Sequence, residues 1–235
     1  LFSHFAKPAW LAICCLALLA GCGKKAEVFR QESFVFGTRV EISIHGEDAD
    51  KAAGAARMAL QRFDTLHQKL HAWQPSALEK VNQAFAAGAR AMLDPELSFI
   101  LEDAKQHSLL TGELFNPAIG NLIRLWGFHA DLPQSGLPDA AAIAALVKAA
   151  PSMRDVHVES GEAWSGNPAV RLDLGGYAKG YALDEAARIL RQQGIRNALI
   201  NIGGNVLAMG THGERPWKVG IQHPRKPGTL ATLEL

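Results

Sequence analysis

Asp173-Leu-Gly-Gly-Tyr-Ala-Lys-Gly-Tyr-Ala-Leu-Asp184 is the stretch from which the rest of the chain is best read. The residues leading into it, Val170-Arg-Leu-Asp-Leu174, predict a strand. Gly175 and Gly176 then permit a tight turn and let a ligand approach the backbone. A helix is predicted from Tyr177 to Gln193, ended by Gly194. Strand, glycine turn and helix in that order leave free N–H groups at the helix start, where an anion can bind. Lys179 stands one turn into this helix, where a cation opposes the helix dipole. It is therefore expected to face a phosphate or a carboxylate. Asp173 can bond a ring nitrogen, a hydroxyl or a bound cation. A plain strand-turn-helix with a solvated Lys179 is an equal alternative on this segment alone, because glycine-rich turns are common.

Elements of both kinds flank this stretch. Val35, Val40, Ile42 and Ile44 predict one strand over Ser33–His45, with apolar positions 40, 42 and 44 alternating with Glu41 and Ser43. Ala56, Leu60, Phe63, Leu66 and Leu70 recur at helical spacing and predict a helix over Asp48–Leu70. Ser76 with Glu79 three residues on predicts a helix start, continuing to Ala87. Pro95 opens another helix, which runs to Leu110. Asp139–Ala149 reads as a peripheral, alanine-rich helix, and Val156–Val158 as a short strand. Asn197–Met209 reads as a buried strand broken by Gly203-Gly204, a pair that marks a bulge or a close backbone contact. Trp217–Gln222 and Gly228–Leu235 read as further strands. Helices and strands mix without a βαβα rhythm, so the expected class is α+β: a mixed sheet with packed helices in a single domain.

Composition narrows the function. The formal net charge is +1, and no basic run is longer than a pair such as Lys24-Lys25, which argues against nucleic acid as a partner. The apolar run Pro8–Ala20 is shorter than the ~20 residues that span a bilayer. It has the length of a signal-peptide core. Its end, Leu19-Ala20-Gly21-Cys22, resembles a bacterial lipobox, with an ordinary signal peptide as the alternative. The expected organisation is a signal peptide over 1–21, lipidation at Cys22, a tether over 22–32 and the folded domain over 33–235. All three cysteines, Cys14, Cys15 and Cys22, precede the domain. The domain then has no disulfide, no zinc-thiolate site and no cysteine nucleophile.

Several further motifs follow in a fixed order. Gly37-Thr38 and Ser76-Ala-Leu-x-x-x-Asn82 come first, then Gly112-Glu-Leu-Phe-Asn-Pro-Ala-Ile-Gly120 and Leu125-Trp-Gly-Phe128. The stretch from Asp173 is next, followed by Asn201-Ile-Gly-Gly-Asn205 and Trp217-x-Val-Gly-Ile-x-His-Pro-Arg225. In that order and spacing, from about Phe34 to Leu235, the chain resembles the FAD:protein FMN transferases, the ApbE-type lipoproteins.

The resemblance implies transfer of FMN from FAD to a threonine of a target protein through a phosphoester bond, with release of AMP and dependence on Mg2+. It implies FAD contacts at Trp73, at the turn Leu114-Phe115-Asn116, and at Asp173 and Lys179. Phe36 stands where the family usually has a methionine near the flavin, and Asn116 and Asn205 stand where aspartate is usual. The Gly176 backbone oxygen matches a magnesium ligand. The family's later segments, including a late Asp…Thr pair that ligates the metal, are not among these residues. The domain is therefore expected to be incomplete at its C-terminus. No catalytic base is assigned among the nine histidines. The implied targets are membrane redox subunits on the periplasmic face of a bacterial membrane, the inner membrane being favoured. An FAD pyrophosphatase giving free FMN and AMP, and a non-catalytic FAD-binding lipoprotein, are the alternatives.

Overall fold

The computed structural model of the chain describes residues 27–130 and 136–235. The signal peptide, Cys22 and the start of the tether lie outside the described residues.

The single strand expected over 33–45 is a hairpin. Strand β1 (Val28–Val35) pairs antiparallel with β2 (Thr38–His45) around Phe36-Gly37. Both turn residues have positive φ, 56° and 69°, the pattern that matches the twist of a two-residue hairpin. Residues 28–32, read as tether, therefore belong to the sheet, with Val28 opposite His45 and Glu32 opposite Glu41. Their polar character suits the outer strand of the sheet, where Arg30, Glu32 and Phe34 point to solvent.

The helices begin where the capping residues put them. Helix α1 (Ala49–Leu70) starts at Asp48, whose carboxylate accepts from the Asp50 and Lys51 N–H groups. Helix α2 (Ala77–Ala86) starts at Ser76, whose hydroxyl accepts from Glu79 N–H at 2.8 Å. Helix α3 (Pro95–Leu110) starts at Asp94. Two short helices follow, α4 (Gly120–Leu125) and α5 (Ala140–Ala149). No residue of α5 is buried, which agrees with its peripheral reading. Helix α6 spans Gly175–Gln192, so the two glycines form its first turn rather than a turn before it.

Strands β3 (Ala91–Met92), β4 (Val156–Glu159) and β5 (Glu162–Ser165) make a small sheet in the order β3-β5-β4. The segment over 197–209 is a second hairpin, β6 (Ala198–Ile202) and β7 (Asn205–Met209), rather than one interrupted strand. Gly203 and Gly204 both have positive φ, 55° and 96°, and close it. The two hairpins join in one antiparallel sheet of order β1-β2-β6-β7, with Val40 opposite Ile202. Strands β8 (Lys218–Gln222) and β9 (Thr229–Glu234) form a separate, largely exposed hairpin. The α+β class holds. The named strands pair antiparallel, and the parallel contact is an isolated bridge between Ile119 and Arg171.

One buried cluster unites the main sheet with α1 and α6. It contains Val40, Ile42, Ile44, Ala198, Ile200 and Ile202 from the strands, with Ala52, Ala56, Ala59, Phe63, Ala182, Ala186 and Leu190 from the helices. Alanine on both helices lets them lie close to the sheet and to each other.

The strand expected over Val170–Leu174 does not form. Its backbone groups are taken by other partners. Arg171 and Asp173 N–H donate to the Ala118 and Pro117 carbonyls, and Gly120 N–H donates to Arg171 O. The Asn82 side chain, 1% exposed, takes both backbone groups of Leu172. Its Oδ1 accepts from Leu172 N–H at 2.7 Å, and its Nδ2 donates to Leu172 O at 3.0 Å. A side-chain amide does here what a neighbouring strand would do. This arrangement delivers Asp173 to the start of α6. No helix among the described residues is long and apolar enough to cross a membrane.

Candidate active site

A cavity of about 350 Å3 opens at the end of the main sheet. Its walls are the β1–β2 turn, the end of α1 with the loop after it, and the first turn of α6. Ligand pockets of small molecules begin at about this size, ~300 Å3. Four of the residues singled out in the sequence meet in it: Phe36, Trp73, Asp173 and Lys179.

Phe36 reaches the cavity because the turn holds it in the left-handed region, an uncommon conformation for a bulky residue. Its ring packs on Phe63 at 6.3 Å and on His67 at 5.6 Å. From there His67, His71 and Trp73 line the wall, His67 to His71 at 5.1 Å and His71 to Trp73 at 4.3 Å, and the His129 ring lies on Trp73 at 4.9 Å without lining the cavity itself. The last pair is stacked, with 18° between the planes.

Asp173 is buried and fully engaged on both oxygens. Oδ1 accepts from Gly175 N–H at 2.8 Å, and Oδ2 is 2.7 Å from His129 Nε2. Burial pushes its carboxyl up, but the bonds to His129 and Gly175 and the charge of Arg171 outweigh that and hold it below the usual carboxylate range. Arg171 is itself fixed by Glu79 at 2.5 Å and by the Ala72 carbonyl at 2.9 Å, which ties the loop bearing Trp73 to the segment bearing Asp173. Lys179 is half-buried, and among the described residues no carboxylate pairs with it. Leu174, the residue before α6, provides no side-chain cap. The exposed Gly175 and the unpaired Lys179 on one wall leave room and positive charge for an anion, although the first N–H of α6 is already taken by Asp173.

The remaining assigned residues lie elsewhere. Leu114 is 94% exposed and lines neither this cavity nor its neighbours. Phe115 and Gly176 line a second, more open groove on the other side of the α6 start, together with Tyr177, Tyr181, Asp103 and Asp184. A Cβ on Gly176 would stand 3.4 Å from the Phe115 ring, so glycine there lets the ring lie against the helix. Burial, then the Asp103 carboxylate accepting from its hydroxyl at 2.6 Å, pushes the Tyr177 phenol strongly up. Asn116 faces a third hollow, where its Nδ2 donates to Pro151 O and its Oδ1 accepts from Ala118 N–H. An aspartate could not make the first of these bonds. Asn205 starts β7 beside the Gly203-Gly204 turn. Among the described residues no group of three His, Cys, Asp or Glu could hold a metal ion.

His129 is the residue that sequence reasoning passed over. Its side chain is 2% exposed and touches both Asp173 and Trp73. The available signal was its place directly after Leu125-Trp-Gly-Phe128, a motif already singled out.

A model described as the ApbE family matches residues 36–235. The chain belongs to that family. Among curated ApbE-type relatives, an FAD:protein FMN transferase of Rhodobacter capsulatus is 41% identical over 202 residues, covering 86% of this chain and 39% of the relative. One of Klebsiella pneumoniae (strain 342) is 31% identical over 237 residues, covering 94% of this chain and 65% of the relative. The chain thus spans between about two fifths and two thirds of the length of these relatives. Among solved structures, the ApbE protein of Thermotoga maritima superposes with a TM-score of 0.80 at 26% identity, covering 89% of this chain and 68% of that one. The flavin transferase ApbE of Vibrio cholerae shares the fold, with a TM-score of 0.77 at 21% identity.

Proposed function

We propose that this chain binds FAD and transfers its FMN portion to a threonine hydroxyl of another protein. One observation carries the reading. Trp73, Asp173 and Lys179 line one cavity at the start of α6, offering a ring face, a fixed carboxylate and an unpaired cation. FAD presents the matching chemistry: flat rings with N–H donors and a pyrophosphate. The names of the curated relatives support the same reading.

In the proposed reaction a threonine oxygen attacks the FMN-side phosphorus of FAD. A new P–O bond forms, the pyrophosphate bond breaks, the hydroxyl proton is lost, and AMP departs. Such a transfer depends on charge neutralisation and alignment more than on a protein nucleophile. Lys179 would offset the pyrophosphate charge. Trp73 and Asp173 would hold a ring in place, Phe36 would close the apolar wall, and the turn Leu114-Phe115-Asn116 would give a further contact surface. Magnesium belongs to this reading, yet the described residues offer it only the Gly176 backbone oxygen and no carboxylate cluster. They do not make a metal site by themselves.

The reading extends to location: a lipid on Cys22 would hold the domain at the periplasmic face of a membrane, close to redox subunits that receive the flavin. A Cys22→Ser chain that still sediments with membranes would sink that part. The activity is tested by incubating the protein with FAD, Mg2+ and a threonine-bearing acceptor, followed by mass spectrometry of the acceptor. An added FMN on threonine is expected. Release of free FMN with an unmodified acceptor would overturn transfer in favour of hydrolysis.

A further inference from the structure

We infer that His129 is a built-in competitor for the ring-binding element of the cavity, so that a ligand must displace its imidazole to bind; the inference rests on the flavin reading above.

The His129 ring does what a bound heteroaromatic ring would do. It stacks on Trp73 at 4.9 Å with 18° between planes, and it bonds to the Asp173 carboxylate at 2.7 Å. Those are the recognition features that the cavity offers to a flat ring carrying an N–H donor. The imidazole fits them incompletely. Its Nδ1 is buried with no hydrogen-bond partner among the described residues. A buried unpaired nitrogen is a cost that His129 sheds on leaving the pocket, because water then satisfies it.

Two consequences follow from occupation of one place by two rings. Apparent affinity falls by the fraction of molecules in which the imidazole is out. Selectivity rises, because a ligand must replace both the stack and the bond to Asp173. A pyrophosphate alone replaces neither. An apolar ring replaces the stack and strands the carboxylate. The ligand class is therefore a flat heteroaromatic ring with an N–H donor attached to a phosphate that reaches Lys179. Both ends of FAD have that chemistry, the flavin ring and the adenine, so FMN and AMP serve as separate probes of which end displaces His129.

The test uses the unaltered chain first. Diethyl pyrocarbonate modification of each histidine is mapped by mass spectrometry, with and without FAD, FMN or AMP. Displacement exposes His129, so its modification should rise several-fold with FAD and with whichever half occupies the Trp73 face. His67 and His71, which line the same cavity, should be protected. Protection of His129, or no change at His129 while His67 and His71 are protected, would overturn the inference and leave the flavin reading standing. FAD binding is then measured for His129→Ala, with circular dichroism to confirm the fold. About tenfold tighter binding is expected, the size of one hydrogen bond to a charged group removed from the competition. Equal or weaker binding overturns the inference. If neither protein binds FAD and no histidine responds, the flavin reading itself falls, and this inference with it.

Discussion

The turns Phe36-Gly37 and Gly203-Gly204 stand at the same end of the main sheet, and each places two consecutive residues at positive φ. They are neighbours: Gly203 N–H donates to Arg39 O at 3.1 Å, and a Cβ on Gly203 would lie 2.5 Å from Thr38 Oγ1. In one turn, Gly203 has no room for a side chain. The other carries a phenylalanine in a conformation that glycine would adopt freely. The difference teaches where local cost is tolerated. Gly203 is dictated by packing between the two hairpins. Phe36 is strained, and its ring forms part of the cavity wall. Strain kept at a cavity is a sign of use there, in the direction from geometry to function.

The largest effect that separates the turns is expected for Gly203→Val. It combines a backbone penalty with a clash against Thr38, costing about 3–5 kcal/mol in denaturant unfolding. A loss under ~1 kcal/mol would break the packing account of that turn. Asp173→Asn comes next and tests the cavity that Phe36 serves. It removes the charge from two hydrogen bonds and should cost about 2 kcal/mol at neutral pH. The sign against pH is fixed by the depressed folded-state value: Asp173 contributes above the ordinary carboxylate value of 3.8, and the contribution is lost as pH falls through its lower folded value. Acid unfolding should therefore be less steep in Asp173→Asn than in the parent. Gly204→Ala separates strain from clash, since a Cβ there meets nothing within 4 Å. It should cost only about 1–2 kcal/mol. Phe36→Gly should change stability least, within about 1 kcal/mol, because relief of strain offsets lost packing. Its FAD affinity should nonetheless fall, read by quenching of tryptophan fluorescence. Unchanged affinity would remove Phe36 from the proposed contact surface.

Much of this fold was legible in the sequence where side chains act on their own backbone. Asp48, Ser76 and Pro95 mark three helix starts because capping is a local event. Both hairpins were missed for one reason: a two-residue turn leaves the alternation of apolar residues nearly unbroken. Phe36 also conceals the first turn, since phenylalanine is not a residue that announces positive φ. Val170–Leu174 has a strand's composition, but its partners are Asn82 and the segment 117–120, far away in sequence. The meeting of Phe36, Trp73, Asp173 and Lys179 was reached by resemblance and by the chemistry of one glycine-rich stretch. The contacts of His129 with Trp73 and Asp173 were not legible beyond its place after Leu125-Trp-Gly-Phe128, because only the folded chain brings the three together.

The pairing of β2 with β6 has a consequence for how the molecule is made. These two strands form the middle of the sheet, yet they come from opposite ends of the described chain. Pairings of such long sequence separation form late and slowly, after a large loop has closed. A chain emerging from its N-terminus can close the first hairpin at once, but β2 then waits with one edge unpaired until β6 arrives. During that wait the chain is open, extended and in need of protection from its neighbours.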